Sequence, residues 1–338
     1  MAVKLLDGIG RNLIEAKREE MKAAIISTGG RVIIGETVTF KQSLIDGVTN
    51  VELLKSWGAD MVTINHYNVE IPMIPGLPST KEGIELWGSL WNISGAKGCI
   101  PDIYVVEPSF QNAYLQFGFG RTINEVKKLA GIPVGMTLEP VEPGTGYPEA
   151  RIANRINAKK GVEQGANYVT IINTPSMPSA IFAKCVSDVR EGVEEDGLVK
   201  AGKMPWGGAF PTDPDYFYTT KELKELISAG ADVILIPSPG TVTGLTIDLV
   251  RKWVNIVHEN GALAEITIGT SQEGADEEVI CRFAIDSKMT GADIFQIGDS
   301  VYSGTTTPEN LMAFSKSIKG RRHTLKRMAL SPMRGELL

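Results

Sequence analysis

The chain has 338 residues, 43% of them hydrophobic and 22% charged, with a formal net charge of −6 and a pI near 5.3. This is the composition of a globular protein; it excludes a disordered class, and the acidic balance argues against nucleic acid as the main partner. No apolar run reaches the length of a membrane span and Met1 to Asp7 lack the basic, apolar, small-residue order of a secretion signal, so no membrane association and a cytoplasmic location are expected.

Ahead of the first strand, Ile9, Leu13, Ala16, Met21, Ala24 and Ile25 fall near helical spacing. They predict a leading helix over 9–26, stopped by Gly29-Gly30, that plugs the bottom of a barrel or docks on a partner subunit. Strand one is expected at Val32 to Gly35, followed by Glu36-Thr37. A helix from about Thr49 to Trp57 then runs through Gly58-Ala59-Asp60 into strand two, Met61 to Asn65, with His66-Tyr67-Asn68 beyond it.

The Gly-Ala-Asp phrase organises the chain. It returns as Gly165-Ala166-Asn167 before Tyr168 to Asn173, as Gly230-Ala231-Asp232 before Val233 to Pro237, and as Gly291-Ala292-Asp293 before Ile294 to Ile297. Glycine closes a helix in the left-handed conformation, alanine lets helix and sheet approach, and Asp or Asn bonds nearby backbone donors. The apolar strands that follow suit a parallel sheet covered by helices.

From about 69 to 121 the rhythm breaks. This insertion holds Pro72, Pro75 and Pro78, an amphipathic piece with Trp87 and Trp91, a candidate strand at Ile103 to Val106, and the aromatics Phe110, Tyr114, Phe117 and Phe119. It reads as a substrate lid or a subunit contact, and with the leading helix it favours a homo-oligomer. The beat then resumes with a helix at 122–129, strand three at Ile132 to Leu138 with Glu139 at its end, a helix over 149–164, and strand four. Strand five is the weakest, placed within Val199 to Gly207, where Lys200, Lys203 and Pro205 dilute the pattern. Helices at 180–194, 220–228, 247–259 and 275–289, with strand seven at Leu263 to Ile268, complete the alternation. Thr307-Pro308-Glu309 marks a last helix start.

Eight strands with intervening helices count out to a single (β/α)8 barrel domain over 1–338; an open doubly wound sheet is the alternative. The basic tail at 316–338, with Lys319, Arg321, Arg322, Lys326 and Arg327, is expected to be a solvated helix face or a grip on an acidic neighbouring subunit. Cys99, Cys185 and Cys281, odd in number and without metal-type spacing, are expected to be buried structural thiols.

In such a barrel the strand C-termini form the functional face. This selects Glu36, Asn65, His66, Glu139, Asn173, Thr174, Ser238, Thr267, Gly269 and Asp299, of which Glu36, His66, Glu139 and Asn173 are the candidate catalytic residues. Alternation in strand seven points Ala264, Ile266 and Ile268 at helices and Glu265 and Thr267 into the barrel; in strand three it points Thr137 and Glu139 inward. Inward carboxylates must be neutral, paired or metal-bound. Glu139 and Glu265 are therefore candidate ligands for Mg²⁺ or another divalent metal, or one carboxyl serves as general acid or base with His66, or Glu265 pairs with an inward Lys or Arg. Small residues after strands six to eight, namely Ser238, Gly240, Gly269, Thr270, Ser271, Gly298, Ser300 and Gly304, are candidate phosphate-binding groups, although Asp299 would repel an anion there. No nucleotide cofactor is expected.

The Gly-Ala-Asp cadence and the glycine loops after strands seven and eight resemble those of phosphate-binding (β/α)8 barrels. The general pattern also resembles the phosphoenolpyruvate mutase and isocitrate lyase group, whose barrel carboxylates hold Mg²⁺ while C–C or C–P bonds are cleaved or moved. That group's Lys-Lys-Cys-Gly loop has no match here, so its cysteine acid is not carried over. Strand six, ending in Pro237-Ser238, also lacks the Schiff-base lysine typical of that strand in class I aldolases. The resemblance implies a bacterial barrel family of unassigned chemistry, and a metal-assisted enzyme of lyase or isomerase type acting on a small phosphorylated or carboxylated metabolite at the C-terminal face of the barrel. A barrel that binds or regulates without turnover, or a hydrolase using the same carboxylates, is the alternative.

Overall fold

The computed structural model describes residues 4–93, 116–144, 146–173, 179–204, 217–269, 272–298 and 304–336. Eight parallel strands close into a barrel in sequence order: β1 (Val32–Val38), β2 (Met61–Asn65), β3 (Val134–Leu138), β4 (Tyr168–Asn173), β5 (Leu198–Lys203), β6 (Val233–Pro237), β7 (Leu263–Ile268) and β8 (Ile294–Ile297). β8 pairs with β1 from Val32↔Ile294 to Gly35↔Ile297, which rules out the open sheet. The helices before β1 are α1 (Arg11–Ile14) and α2 (Arg18–Ile26). The others among the described residues are α3 (Asn50–Ser56), α4 (Lys81–Ile93), α5 (Ile123–Ala130), α6 (Arg155–Glu163), α7 (Ser179–Val193), α8 (Thr220–Ser228), α9 (Ile247–Glu259), α10 (Glu277–Lys288) and α11 (Pro308–Ala329).

The Gly-Ala-Asp phrase is a clamp at the barrel bottom. Its four glycines have φ of 114°, 106°, 108° and 86°, the left-handed region that ends each preceding helix. In each copy the Asp or Asn amide donates to a carbonyl of the preceding strand, and its side chain accepts from an amide at that strand's start. Asp60 accepts from Ile33 N at 3.0 Å, Asn167 from Val134 N at 3.1 Å, Asp232 from Val199 N at 2.9 Å and Asp293 from Ala264 N at 2.9 Å. The clamp therefore couples strands in twos.

An apolar plug fills the lower barrel. Val32, Ile34, Met61, Tyr168, Leu198, Val233, Leu263 and Ile294 pack against Leu5, Leu13, Met21 and Ile25 from the leading segment. That segment is two short helices rather than one, because the backbone turns between Glu15 and Lys17. A second apolar layer lies between sheet and helices.

Several boundaries differ from expectation. β1 runs on to Val38, so Glu36 lies within the strand rather than beyond it. Residues 149–151 form a 3-10 turn, and α6 begins only after Asn154, whose side chain caps it. The basic tail grips its own barrel: in α11, which is broken at Gly320, Lys319 and Arg327 are buried on Asp60 at 2.6 and 2.8 Å. Cys185 and Cys281 are half-buried free thiols rather than core residues; Cys99 lies outside the described residues. The candidate strand at Ile103 to Val106, Phe110 and Tyr114 also lie outside them. No helix among the described residues is long and apolar enough to cross a membrane.

Candidate functional site

Above the plug, the inward positions become polar. Gln296 on β8 donates to Glu36 Oε2 at 2.7 Å and accepts from Thr63 Oγ1 at 3.3 Å, while Thr63 also meets the Tyr168 hydroxyl at 3.1 Å. Thr137 on β3 donates to Asn65 Oδ1 at 2.7 Å. Across the barrel, Lys200 on β5 places Nζ 2.7 Å from Glu265 Oε2 on β7, both side chains fully buried, and 4.6 Å from the centroid of the Tyr168 ring. Burial pushes the Glu265 carboxyl above its ordinary range and Lys200 opposes that shift; burial also raises the Tyr168 phenol.

At the rim over β1 to β3, a cavity of about 200 Å³ is lined by Phe40, His66, Asn68, Met73, Trp87 and Arg151, with Thr39 and Ile71. His66 sits at φ 60°, held by its amide to Asn65 Oδ1 and by its carbonyl to Thr39 Oγ1. Burial, reinforced by the nearby Arg151 charge, lowers the His66 pKa to about 4, so the ring is neutral at physiological pH. Arg151 comes from the 3-10 turn. It is 8% exposed, meets Glu139 Oε1 at 3.4 Å, lies over the Tyr147 ring at 5.1 Å, and leaves its buried Nε without an acceptor among the described residues. Burial raises the Glu139 carboxyl, with Arg151 pulling the other way, and pushes Tyr147 up to about 12.

Trp87 reaches this cavity from the insertion. Its ring packs 4.9 Å from that of Phe119, which stacks on Phe117 at 5.3 Å. Gly83 lets α4 close on the 119–120 backbone, since a Cβ there would lie 2.3 Å from the Phe119 carbonyl.

The sequence-derived residues are thus sorted by geometry. His66 and Glu139 share Arg151 at the rim, whereas Glu36 and Glu265 lie deeper, in the polar layer. Asn173 is fully buried at the end of β4, on the helix-facing side with Val169 and Ile171, and its side-chain atoms have no hydrogen-bond partner among the described residues. Ser238 is also turned away from the mouth: its hydroxyl meets Ser287 of α10 at 2.8 Å. Gly240 and Gly298 spend their amides on Leu245 O and Ile268 O, so neither offers a donor to an anion. A Cβ on Gly298 would lie 3.6 Å from Glu36 Oε2, which places a carboxylate where a phosphate was expected. Gly304 packs on Lys41 and Val38, and Gly269 on Met204. Thr174, Thr270, Ser271, Asp299 and Ser300 lie outside the described residues.

The expected divalent site also meets a different arrangement. Glu139 faces Arg151 and Glu265 faces Lys200, so each carboxylate already has a cation. Among the described residues, no three His, Cys, Asp or Glu side chains come together as a metal would require. These residues do not fit an ion shared by Glu139 and Glu265.

Arg151, Lys200, Tyr168 and Gln296 were missed by the sequence reading. Alternation within β5 carries the signal for Lys200, two residues after the plug residue Leu198; a single arginine in a turn carries none.

A search of curated proteins finds no match to this sequence. Among solved structures, an archaeal fructose 1,6-bisphosphate aldolase is similar at 14% identity and a TM-score of 0.48, over 87% of this chain and 96% of that one. A Burkholderia cenocepacia J2315 chain assigned as a phosphonomutase is similar at 14% identity and a TM-score of 0.44, over 82% and 91%. A family model described as "Domain of unknown function (DUF7916)" matches residues 6–334, nearly the full length, and the chain belongs to that family.

Proposed function

We propose that the protein is an enzyme of lyase or isomerase type that takes a small carboxylated or phosphorylated metabolite at the C-terminal mouth, with Arg151 holding the anionic group. The observation behind this reading is a guanidinium nine-tenths buried beside a cavity, with a long contact to Glu139, the Tyr147 ring beside it, and one nitrogen lacking an acceptor among the described residues. Burying a cation so incompletely paired is costly, and a planar carboxylate or a phosphate supplies the missing acceptors.

The neighbours suit chemistry on such a ligand. Glu139, raised by burial, can exchange a proton closer to neutrality than an exposed carboxyl, and neutral His66 offers both a donor and an acceptor. Phe40 and Trp87 give the cavity apolar walls against which the non-ionic part of such a ligand can pack.

Calorimetric titration with inorganic phosphate, pyruvate and dihydroxyacetone phosphate tests the proposal. Saturable binding of at least one is expected in the wild type, weakened about 30-fold or more by Arg151→Met, as follows from losing about 2 kcal/mol with a buried charged partner. Glu139→Gln should bind at least as tightly, since it removes a competing negative charge. Equal affinity in Arg151→Met, or no binding of any of the three by the wild type, would overturn it.

A further inference from the structure

We propose that Lys200 is an amine nucleophile, whose Nζ adds to the carbonyl carbon of a small anionic ketone or aldehyde and carries it as an imine while Glu265 moves the protons. The proposal deepens the function above and rests on that reading only for the anionic character of the substrate.

The first support is a comparison among lysines. Lys55, Lys127, Lys200, Lys203 and Lys319 are the buried lysines among the described residues. Four are tied by directed hydrogen bonds: Lys55 to Leu330 O, Lys127 to Ile14 O at 2.9 Å, Lys203 to Glu222 at 2.6 Å, and Lys319 to Gly58 O and Asp60 at 2.7 and 2.6 Å. Lys200 differs. Its approach to Glu265 is close but off the hydrogen-bond direction, and among the described residues neither its Nζ nor Glu265 Oε1 has a hydrogen-bond partner. A buried ion pair is by itself weak evidence of a stabilising role, since apolar replacements often serve as well or better. One with unused hydrogen-bonding capacity calls for another role.

The second support is position. Leu198 belongs to the plug, and Lys200, the next inward residue of β5, lies over the Tyr168 ring on the mouth side. Above it the inward positions of β5 and β7 are small, Gly202, Thr267 and Gly269, while Leu235 of β6 and Ile172 of β4 flank Gly202 at the same level. Met204 covers this region, its Cε 3.0 Å from where a Cβ on Gly269 would sit, and an unbranched thioether can swing aside. The hydroxyl of Thr170 on β4, inward and buried without a partner among the described residues, is available to a ligand oxygen.

The step balances within the pair. Lys200 passes one proton to Glu265 across the 2.7 Å contact, and the free amine forms a C–N bond to the carbonyl carbon as the C=O π pair moves to oxygen. A proton shift from nitrogen to that oxygen gives the carbinolamine; Glu265 then protonates the departing hydroxyl, so the C–O bond breaks as water leaves. The products are a protonated imine on Lys200, a carboxylate on Glu265 and one water, with no net change in charge. The raised Glu265 carboxyl suits it to hold the proton in between.

Sodium borohydride reduction in the presence of dihydroxyacetone phosphate or pyruvate, followed by peptide mass mapping, tests this. The reduced adduct is expected on Lys200 in preference to exposed lysines such as Lys221, saturating with probe concentration. Lys200→Arg should lose it, and Glu265→Gln should form it at least tenfold more slowly. Because Lys200→Arg perturbs a buried site, the mapping of the wild-type protein decides the outcome. Labelling absent from Lys200 with both probes, or no greater there than at exposed lysines, overturns the inference. Calorimetric binding through Arg151 without labelling would sink this inference and leave the anion site standing. Labelling at Lys200 that is unchanged in Arg151→Met would do the reverse.

Discussion

Asp60 and Asp293 occupy the same place in two copies of the barrel-bottom clamp, yet their substitution should have very different costs. Asp60 is fully buried and receives Lys319 Nζ, Arg327 Nε and the Ile33 amide at 2.6, 2.8 and 3.0 Å, and both cations are themselves fully buried. Asp60→Asn retains an oxygen for the Ile33 amide but leaves two buried cations facing a neutral group, a change worth about 3–5 kcal/mol. Asp293 receives the Ala264 amide at 2.9 Å and His258 at 2.8 Å, and the His258 side chain is 38% exposed. Asp293→Asn should keep the backbone bond and lose a solvent-screened pair, about 1 kcal/mol or less. Urea unfolding at pH 7, followed by circular dichroism, should therefore separate the two variants by about 2–4 kcal/mol, with Asp60→Asn the weaker. Equal destabilisation would show that the backbone clamp, and not the buried charge, carries the stability.

Three further outcomes follow from the site. Gly83→Ala should force α4 away from the Phe119 carbonyl and displace Trp87, weakening anion binding in the calorimetric assay and changing the near-UV dichroism; unchanged binding would remove Trp87 from the site. His66 has a folded pKa of about 4 against an ordinary 6.5, so the unfolded chain binds the extra proton between those values and stability falls as pH drops through that window. His66→Asn, which tolerates the left-handed backbone, should flatten this part of the profile in urea midpoints measured from pH 7 to 4; parallel profiles would refute the assignment. Finally, chelator should leave anion binding and borohydride labelling unchanged, because Glu139 and Glu265 each pair with a protein cation. Loss of either signal in EDTA, restored by Mg²⁺, would bring the metal back.

The barrel was legible because every second strand is announced by a repeated helix stop, whose Asp or Asn has the same bonding duty each time. Alternation was legible where a strand is regular: β7 did send Glu265 inward. It failed on β5, where lysine was read as dilution of a strand although its stem and charge are accommodated by the Tyr168 face and Glu265. The strand-end rule for binding groups misled at Ser238 and Gly298, because position along a strand does not reveal whether a hydroxyl turns toward a helix or an amide is already spent on the next strand. Arg151 could not be anticipated, since its burial depends on a turn bringing it against Glu139 and Tyr147.

The clamps also define joints in the chain. Each ties an even strand to the odd strand just before it, so the polypeptide falls into four βαβ modules: β1–β2, β3–β4, β5–β6 and β7–β8. Arg327 of α11 bonds the carbonyls of Leu5 and Gly8, which holds both ends of the barrel sequence together at the base. A circular permutant opened between β4 and β5 would keep every module continuous, whereas one opened between β5 and β6 would sever Asp232 from the Val199 segment it secures. Their melting temperatures should differ accordingly, and the more tolerant cut sites would mark the boundaries at which the chain can be recombined.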